Sequence, residues 1–304
     1  MIGGTYFLGK AFVELADNGG NEILLVNRGT RKFLEAESGR VKSLLADRHD
    51  AEGLAKLKEL LQRDPVEVVV DFCAYEAGDI RSMMEILPAE TKQYLFLSTC
   101  DVYRRGTGET LDETAPFEER RFDGQEGAYI SGKVALEEEL RLEAKKRGIR
   151  YTSIRPVIIY GPGNYAPREG MFFHWISKAG QILLPEDADG YFQMVYVKDV
   201  AACIYACLLR EDCYDGALNI CGEGLLNYQS FAEALEKACG QEAFERITLP
   251  VADILERGIP FPFALLKEES ENYKGERMKK LGVVYTPLEQ GLYETYLEYL
   301  KSQG

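Results

Sequence analysis

The chain has 304 residues, with 36 Lys plus Arg against 50 Asp plus Glu and a formal net charge of −14. That length can bury a full core, as one large domain or a large domain with a smaller partner. The acidic balance repels polyanions and argues against nucleic acid as a partner, so an anionic small molecule must meet a local basic pocket.

Seven cysteines, at 73, 100, 203, 207, 213, 221 and 239, form no Cys-x-x-Cys pair and are accompanied by only two histidines, His49 and His174. No metal site is expected from that pattern, which fits reduced thiols in the cytoplasm. No leader, lipid-attachment signal or bilayer-length apolar run is read, so a cytoplasmic protein without a membrane partner is expected.

Along the first 160 residues, short apolar runs alternate with helix-length amphipathic segments, the pattern of a parallel sheet covered on both faces. In chain order the spacing predicts a helix over 9–18, strands over 22–27 and 41–46, and a helix over 51–62. A strand over 66–72, a helix over 79–87, a strand over 93–98, a helix over 126–147 and a strand over 151–154 follow. From Gly161 the texture turns to Gly, Pro and aromatic residues, a boundary where a second unit begins. Regular patterning at 195–209 and 217–221 implies that residues 193–222 return to the first unit. The stretch after about Gly224 reads as helices with short connectors. The expected fold class is α/β, a doubly wound parallel sheet in residues 1–160 with a smaller C-terminal substrate domain in 161–304.

Tyr129 and Lys133 stand four residues apart at the start of a helical run, so the phenol and the ammonium share a face. A lysine beside a tyrosine favours the phenolate, which suits the pair to exchange a proton with an alcohol or ketone. Gly3-Gly-Thr-Tyr-Phe-Leu-Gly9 opens the first predicted helix, where a phosphate-cradling turn belongs. Eighteen residues after Gly9, at the end of the next strand, comes Asn27-Arg28, where an acidic residue would bind the ribose hydroxyls of NAD and an arginine would accommodate the 2′-phosphate of NADP. The alternative is that Arg28, Arg31 and Lys32 form a solvated basic loop. Asp47, closing the following strand, is placed to accept from an adenine amino group or to stand as an exposed turn residue.

Taken in order, the glycine turn, Leu97-Ser-Thr-Cys-Asp-Val-Tyr103, Tyr129-Ile-Ser-Gly-Lys133 and Ile154-Arg-Pro-Val-Ile-Ile-Tyr-Gly-Pro162 resemble the extended short-chain dehydrogenase/reductase superfamily, in its NAD(P)-dependent epimerase/dehydratase group. The resemblance implies a Rossmann sheet binding the dinucleotide through Gly3, Thr5, Tyr6, Phe7, Leu8, Gly9, Asn27, Arg28, Asp47, Arg48 and Lys133. It implies hydride transfer at a sugar-like carbinol, with Tyr129 as acid/base, Lys133 tuning it and holding the nicotinamide ribose, and Thr99 donating to the reacting oxygen. NADP, or NAD, is the implied cofactor. An epimerase or reductase of a nucleotide sugar or related polyol is the implied activity. A reductase of a small carbonyl compound and a non-catalytic dinucleotide-sensing or RNA-associated protein are the alternatives. Helices 79–87 and 126–147 correspond to those that pair in dimers of this superfamily, which implies a homodimer.

Three departures qualify the resemblance. Only Met1 and Ile2 precede Gly3, so the strand that normally leads into the turn is expected to be a stub. Tyr6 stands where a glycine usually lets backbone approach a pyrophosphate, as in an atypical branch that Asn27-Arg-Gly29 and Asp47-Arg48 also resemble. Cys100 and Asp101 follow Thr99 where nucleotide-sugar dehydratases carry Asp and Glu, which favours epimerisation or reduction over dehydration. For an anionic substrate, Arg168 leads the candidates Arg257, Lys267 and Arg277. The aromatic run Phe172, Phe173 and Trp175, with His174 inside it, reads as core before a stacking platform.

Overall fold

The computed structural model describes residues 1–29, 38–166, 168–240, 244–275 and 277–303. Helix α1 (Phe7–Asn18) is followed by strands β1 (Ile23–Asn27) and β2 (Val41–Leu45), helix α2 (Ala51–Arg63), strand β3 (Val68–Asp71), helix α3 (Asp79–Ile86) and strand β4 (Gln93–Leu97). The short β5 (Thr110–Leu111) and the long helix α4 (Gly124–Arg147) precede β6 (Arg150–Pro156). Next come β7 (Ile158–Tyr160), α5 (Glu169–Ala179), β8 (Gln181–Pro185), β9 (Met194–Tyr196), α6 (Val197–Ala206) and β10 (Gly216–Ile220). The last elements are α7 (Tyr228–Cys239), β11 (Glu245–Leu249), α8 (Val251–Glu256), β12 (Asn272–Tyr273) and α9 (Leu288–Gln303).

Strands β3, β4, β6 and β10 form one parallel block in the order β10-β6-β4-β3, and β1 pairs with β2 in parallel beside it. The expected leading strand is reduced to Ile2, yet that residue joins the two blocks. Its N–H donates to Val70 O at 2.9 Å and its carbonyl accepts from Phe72 N at 3.0 Å, while Val26 N–H donates to Met1 O and Gly3 N–H to Val26 O, both at 2.9 Å. The resulting order is β2-β1-Ile2-β3-β4-β6-β10.

Because successive side chains in a strand point to opposite faces, the sheet sorts its apolar residues into two cores. Val69 and Phe96 face α2, α3 and α4 through Leu57, Met83, Met84, Leu136 and Leu140. Val70, Leu95 and Ile154 face the opposite side, where Phe12 and Val13 of α1 meet Val200 and Ile204 of α6. Helices on both faces of a parallel sheet make this a doubly wound α/β fold.

Local chemistry sets the helix ends. The Asp50 carboxylate accepts from Gly53 N–H at 3.0 Å and caps α2, whereas α4 stops at Gly148 in the left-handed conformation, φ 68°, after Lys145, Lys146 and Arg147. One expectation is corrected after Gly224: residues 245–249 are a strand, pairing in parallel with β8. Its exposed, alternating pattern carries little apolar signal, and its partner lies some sixty residues earlier. Phe172 and Phe173 are fully buried, and Phe172 packs edge-on against Trp175 at 5.4 Å and Phe231 at 5.2 Å, so this run belongs to the core.

Candidate active site

Two cavities open along the carboxyl ends of the strands and share Tyr75 as a common wall. The first encloses about 420 Å³ and is lined by Gly3, Thr5, Asn27, Arg28, Asp47 and Arg48 among others. The second encloses about 980 Å³ and takes in Tyr6, Phe7, Leu8 and Gly9 together with Thr99, Tyr129, Lys133 and Arg168. Residues far apart in sequence thus converge on two adjoining cavities, and the glycine turn lines both, the first through Gly3 and Thr5 and the second through Tyr6, Phe7, Leu8 and Gly9.

That turn is tight for steric reasons. Gly3 and Gly4 adopt φ of 77° and 102°, a region that residues with a Cβ avoid. A Cβ on Gly9 would lie 2.2 Å from the Gly4 Cα, so only glycine lets α1 start against the turn. Phe7 itself sits at φ 45°, and Tyr6 precedes α1 in extended backbone with its ring 5.8 Å from that of Tyr165. Tyr6 is therefore turned toward the second cavity, leaving the first to the glycines and Thr5.

In the first cavity the candidate residues divide by what already occupies them. The Asn27 side chain accepts from Gly29 N–H at 2.9 Å and donates to Ser43 Oγ at 3.1 Å, which shapes the turn that follows β1. The Arg28 side chain is exposed and has no ion pair with a described residue. Arg31 and Lys32 lie outside the described residues. Asp47 accepts from His49 N–H at 3.0 Å. Arg48 lines the cavity as a buried, ion-paired cation: its guanidinium is 2.8 Å from Asp71 Oδ1 and 3.9 Å from Asp79 Oδ2, with only 6% of the side chain exposed. Burial opposes that charge, and Asp71 more than restores it, holding the guanidinium above its ordinary pKa.

Asp71 and Asp79 were not legible as site residues, although Asp79 lines this cavity and Asp71 is buried behind Arg48. Asp71 accepts from Tyr94 Oη at 2.6 Å as well as from Arg48, and Asp79 accepts from the N–H groups of Tyr75 and Glu76 and from His49 Nε2 at 2.7 Å. The strand-end position of Asp71 and the helix-start position of Asp79 were the available signals.

In the second cavity, α4 carries Tyr129 and Lys133 on one face, and β4 ends at Leu97, two residues before Thr99. Lys133 is 3% exposed. Its Nζ donates to Leu97 O at 2.8 Å and Ala74 O at 3.0 Å and lies over the rings of Tyr75 and Phe96 at 4.6 and 4.7 Å. Burial lowers its pKa to about 8, against the pull of Asp71.

Lys133 Nζ stands 5.8 Å from the Tyr129 ring and is directed to backbone carbonyls. Although Tyr129 as a residue is 40% exposed, desolvation is the largest cause lifting its phenol well above the ordinary value. The negative charge of Asp101 adds to it, and proximity of the Thr99 hydroxyl eases it.

Thr99 lines the same cavity. Its hydroxyl donates to Asp101 Oδ2 at 2.9 Å and accepts from Asp101 N–H at 3.2 Å, so its hydrogen is committed within the chain. Asp101 in turn pairs through Oδ1 with Arg105 at 3.0 Å, and Arg105 with Glu126 at 3.2 Å. Arg105 lines the cavity and was not among the candidate cations. Ser98 Oγ, buried on the same wall, has no hydrogen-bond partner among the described residues, an unused polar contact for whatever fills the space.

Of the four candidate cations, Arg168 alone lines the cavity. Arg257 pairs with Asp253 at 3.6 Å on α8. Lys267 begins a short turn, with its N–H donating to Asp189. Arg277 is a structural brace, donating to Ala217 O at 3.0 Å and Asp212 O at 2.7 Å.

Behind the site, Arg155 of β6 grips Glu137 of α4 through two 2.7 Å contacts and donates to Tyr103 Oη at 2.7 Å. Glu137 is one turn beyond Lys133, so this pair fixes the face of α4 that carries Tyr129 and Lys133. Among the described residues no group of His, Cys, Asp and Glu is arranged to hold a metal ion, and no helix is long and apolar enough to cross a membrane.

Residues 82–221 match the NAD dependent epimerase/dehydratase family. The chain is 32% identical over 251 residues to the chloroplast stem-loop binding protein of 41 kDa b of Arabidopsis thaliana, a match that takes in 79% of this chain and 62% of that relative's length. It therefore spans less than two thirds of that relative. Among solved structures it is similar to UDP-glucose 4-epimerase of Thermotoga maritima with UDP-glucose, at 17% identity over 100% of this chain and 98% of that one, TM-score 0.77. It is likewise similar to UDP-glucose 4-epimerase of Thermus thermophilus in complex with NAD, at 20% identity over 98% and 97%, TM-score 0.73. Residues 82–221 thus match the NAD dependent epimerase/dehydratase family, within a chain that shares its fold with these solved structures over nearly its whole length.

Proposed function

We propose that the protein is an NADP-dependent oxidoreductase or epimerase that transfers hydride at a carbinol of a nucleotide sugar or a related polyol. The observation that carries this reading is the convergence of Thr99, Tyr129 and Lys133 on one cavity that runs into the glycine turn. The chain's own residues suit a dinucleotide: Gly3 and Gly4 at positive φ, with Gly9 packed directly on Gly4, make a tight turn at the start of α1, the kind whose backbone amides can meet a pyrophosphate. Arg28, exposed on the first cavity, would meet a 2′-phosphate, and Lys133, which lines the second, would hold the nicotinamide ribose. When bound, a nicotinamide supplies the two-electron acceptor or donor.

Tyr129 exchanges a proton with the reacting oxygen. With the phenol pKa raised, it acts at neutral pH as a neutral acid, which suits ketone reduction. Arg168 is the cation offered to an anionic substrate group. A second reading, a reductase of a small carbonyl compound, is favoured by the aromatic wall formed by Tyr191, Phe192, Phe261, Phe263 and Tyr273.

Fluorescence titration with NADPH and NADH tests the cofactor assignment. Tighter binding of NADPH is expected, a preference for NADH would remove Arg28 from the assignment, and binding of neither would end the enzymatic reading. A metabolite screen on the NADPH-loaded protein then separates polyol from small carbonyl substrates.

A further inference from the structure

We propose that Tyr103 is a positioning residue, the centre of a buried polar network that sets the helix of the acid/base pair, the turn carrying Thr99 and the substrate wall at 271–273 against one another. The inference rests on the reading of Thr99, Tyr129 and Lys133 as the reacting groups. Thr99 and Tyr103 are the two ends of one 3-10 turn, Cys100–Val102, so whatever fixes Tyr103 fixes that turn. The Tyr103 Oη accepts from Arg155 Nη1 at 2.7 Å and donates to Asn219 Oδ1 at 2.5 Å. These directions follow from the groups themselves: arginine has no acceptor, so the single phenol hydrogen is left for Asn219, which turns its amide oxygen to the phenol. Asn219 Nδ2 then donates to Lys274 O at 3.1 Å.

Both ends of the network reach the second cavity. At one end Arg155 closes on Glu137 through two 2.7 Å contacts, and Glu137 shares a face of α4 with Lys133, four residues before it. At the other end, the segment after Ser270 carries Glu271 and Tyr273 into the cavity wall. That segment lies directly on β10, since a Cβ on Gly275 would come 2.4 Å from the Asn219 carbonyl oxygen. It is tied besides to Gln193, which bonds both backbone groups of Tyr273, to Gly106 and to β5.

Of Glu137, Arg155, Tyr103 and Asn219, none is more than 6% exposed, so a partner lost here is not replaced from solvent. Removal of the one phenol oxygen takes a partner from Arg155 Nη1 and from Asn219 Oδ1 at the same time. The first belongs to the side of α4 and the second to the side of the substrate wall, so a single atom holds the two in register.

Hydrogen exchange in the whole chain, read by mass spectrometry, is the test. In Tyr103→Phe, exchange should quicken about threefold to tenfold in residues 133–140 of α4 and in 271–275 together, the size that loss of one buried hydrogen bond gives, while β1 and β2 keep their native rates. Asn219→Leu withdraws both the acceptor of the phenol and the donor to Lys274, and should quicken 271–275 at least as much. The double variant should fall short of the product of the two single effects, because both act on one network. In protein labelled with 13Cζ-tyrosine, the Tyr129 signal, assigned with Tyr129→Phe, should shift in Tyr103→Phe. Acceleration in only one of the two segments, equal acceleration everywhere including β1 and β2, full multiplication in the double variant, or an unmoved Tyr129 signal would overturn the proposal. NADPH and NADH titrations on the same samples separate the two claims, since absent binding with the paired acceleration intact defeats the proposed function and not the network.

Discussion

Glu137 and Arg155 form a two-pronged ion pair, 2.7 Å in each arm, with both side chains more than nine-tenths buried. The pair ties the helix of the candidate acid/base to the sheet strand that leads into the second cavity. Removing one partner strands a buried charge, so Arg155→Met is expected to cost about 3–5 kcal/mol. The double variant Glu137→Leu with Arg155→Met should recover much of that loss. Urea unfolding of the three proteins checks the order, and equal stability of single and double variants would contradict it.

Tyr129→Phe removes the only atom through which that residue can exchange a proton. On a substrate found by the metabolite screen, turnover should fall by about 10²–10⁴-fold while NADPH affinity stays within experimental scatter. Undiminished turnover would take Tyr129 out of the reaction.

Gly9→Ala places a methyl 2.2 Å from the Gly4 Cα, and neither backbone can retreat without opening the turn. A stability loss of about 1–3 kcal/mol is expected together with weaker NADPH binding. Thermal unfolding and fluorescence titration read the two effects, and full NADPH affinity would show that the turn does not hold the cofactor.

Arg28→Ala should reduce NADPH affinity at least about tenfold and leave NADH affinity unchanged, because a charge-assisted contact to a 2′-phosphate contributes roughly 1.5–3 kcal/mol. Parallel loss for both cofactors would point to a general role in the first cavity.

Lys133 carries a pH signature. Its folded pKa of about 8 lies below the ordinary 10.5, so between those values the unfolded chain binds more protons and stability rises with pH. The unfavourable contribution is roughly 3 kcal/mol below pH 8 and disappears above about pH 10.5. Urea unfolding at pH 7 and pH 10 should show the stability difference between the native protein and Lys133→Met moving in favour of the native protein at the higher pH. A difference that ignores pH would mean that the amine is not desolvated.

The alternation of apolar runs and amphipathic helices made the sheet and its helices legible, because burial on both faces writes continuous hydrophobic runs such as Tyr94 to Leu97. β11 escaped because Glu245–Leu249 is short, exposed and completed only by a distant partner. In the site, residue types tied to local spacing were readable: Tyr129 with Lys133, Thr99 after a strand, glycines before a helix. What could not be read was commitment. Arg48 looks identical to Arg28 in sequence, and only Asp71 and Asp79, brought in by other strands and helices, distinguish it as a buried, ion-paired residue of the cavity wall. Glu137 was within reach of a closer reading, since it follows Lys133 by one turn and the chain offers Arg155 as a partner.

The seam at Ile2 has a further consequence. One residue bridges the outer strand pair, which bears Asn27 and Arg28, to the inner four strands, which end near Cys73 and Tyr75, and the first cavity is walled by both sides. A dinucleotide seated there would act as a clasp across the narrowest point of the sheet. Amide exchange at Leu25 and Val26 should then slow when NADPH is added, with the stabilisation set by mass action, so that nucleotide occupancy and the integrity of the molecule's weakest joint become one and the same equilibrium.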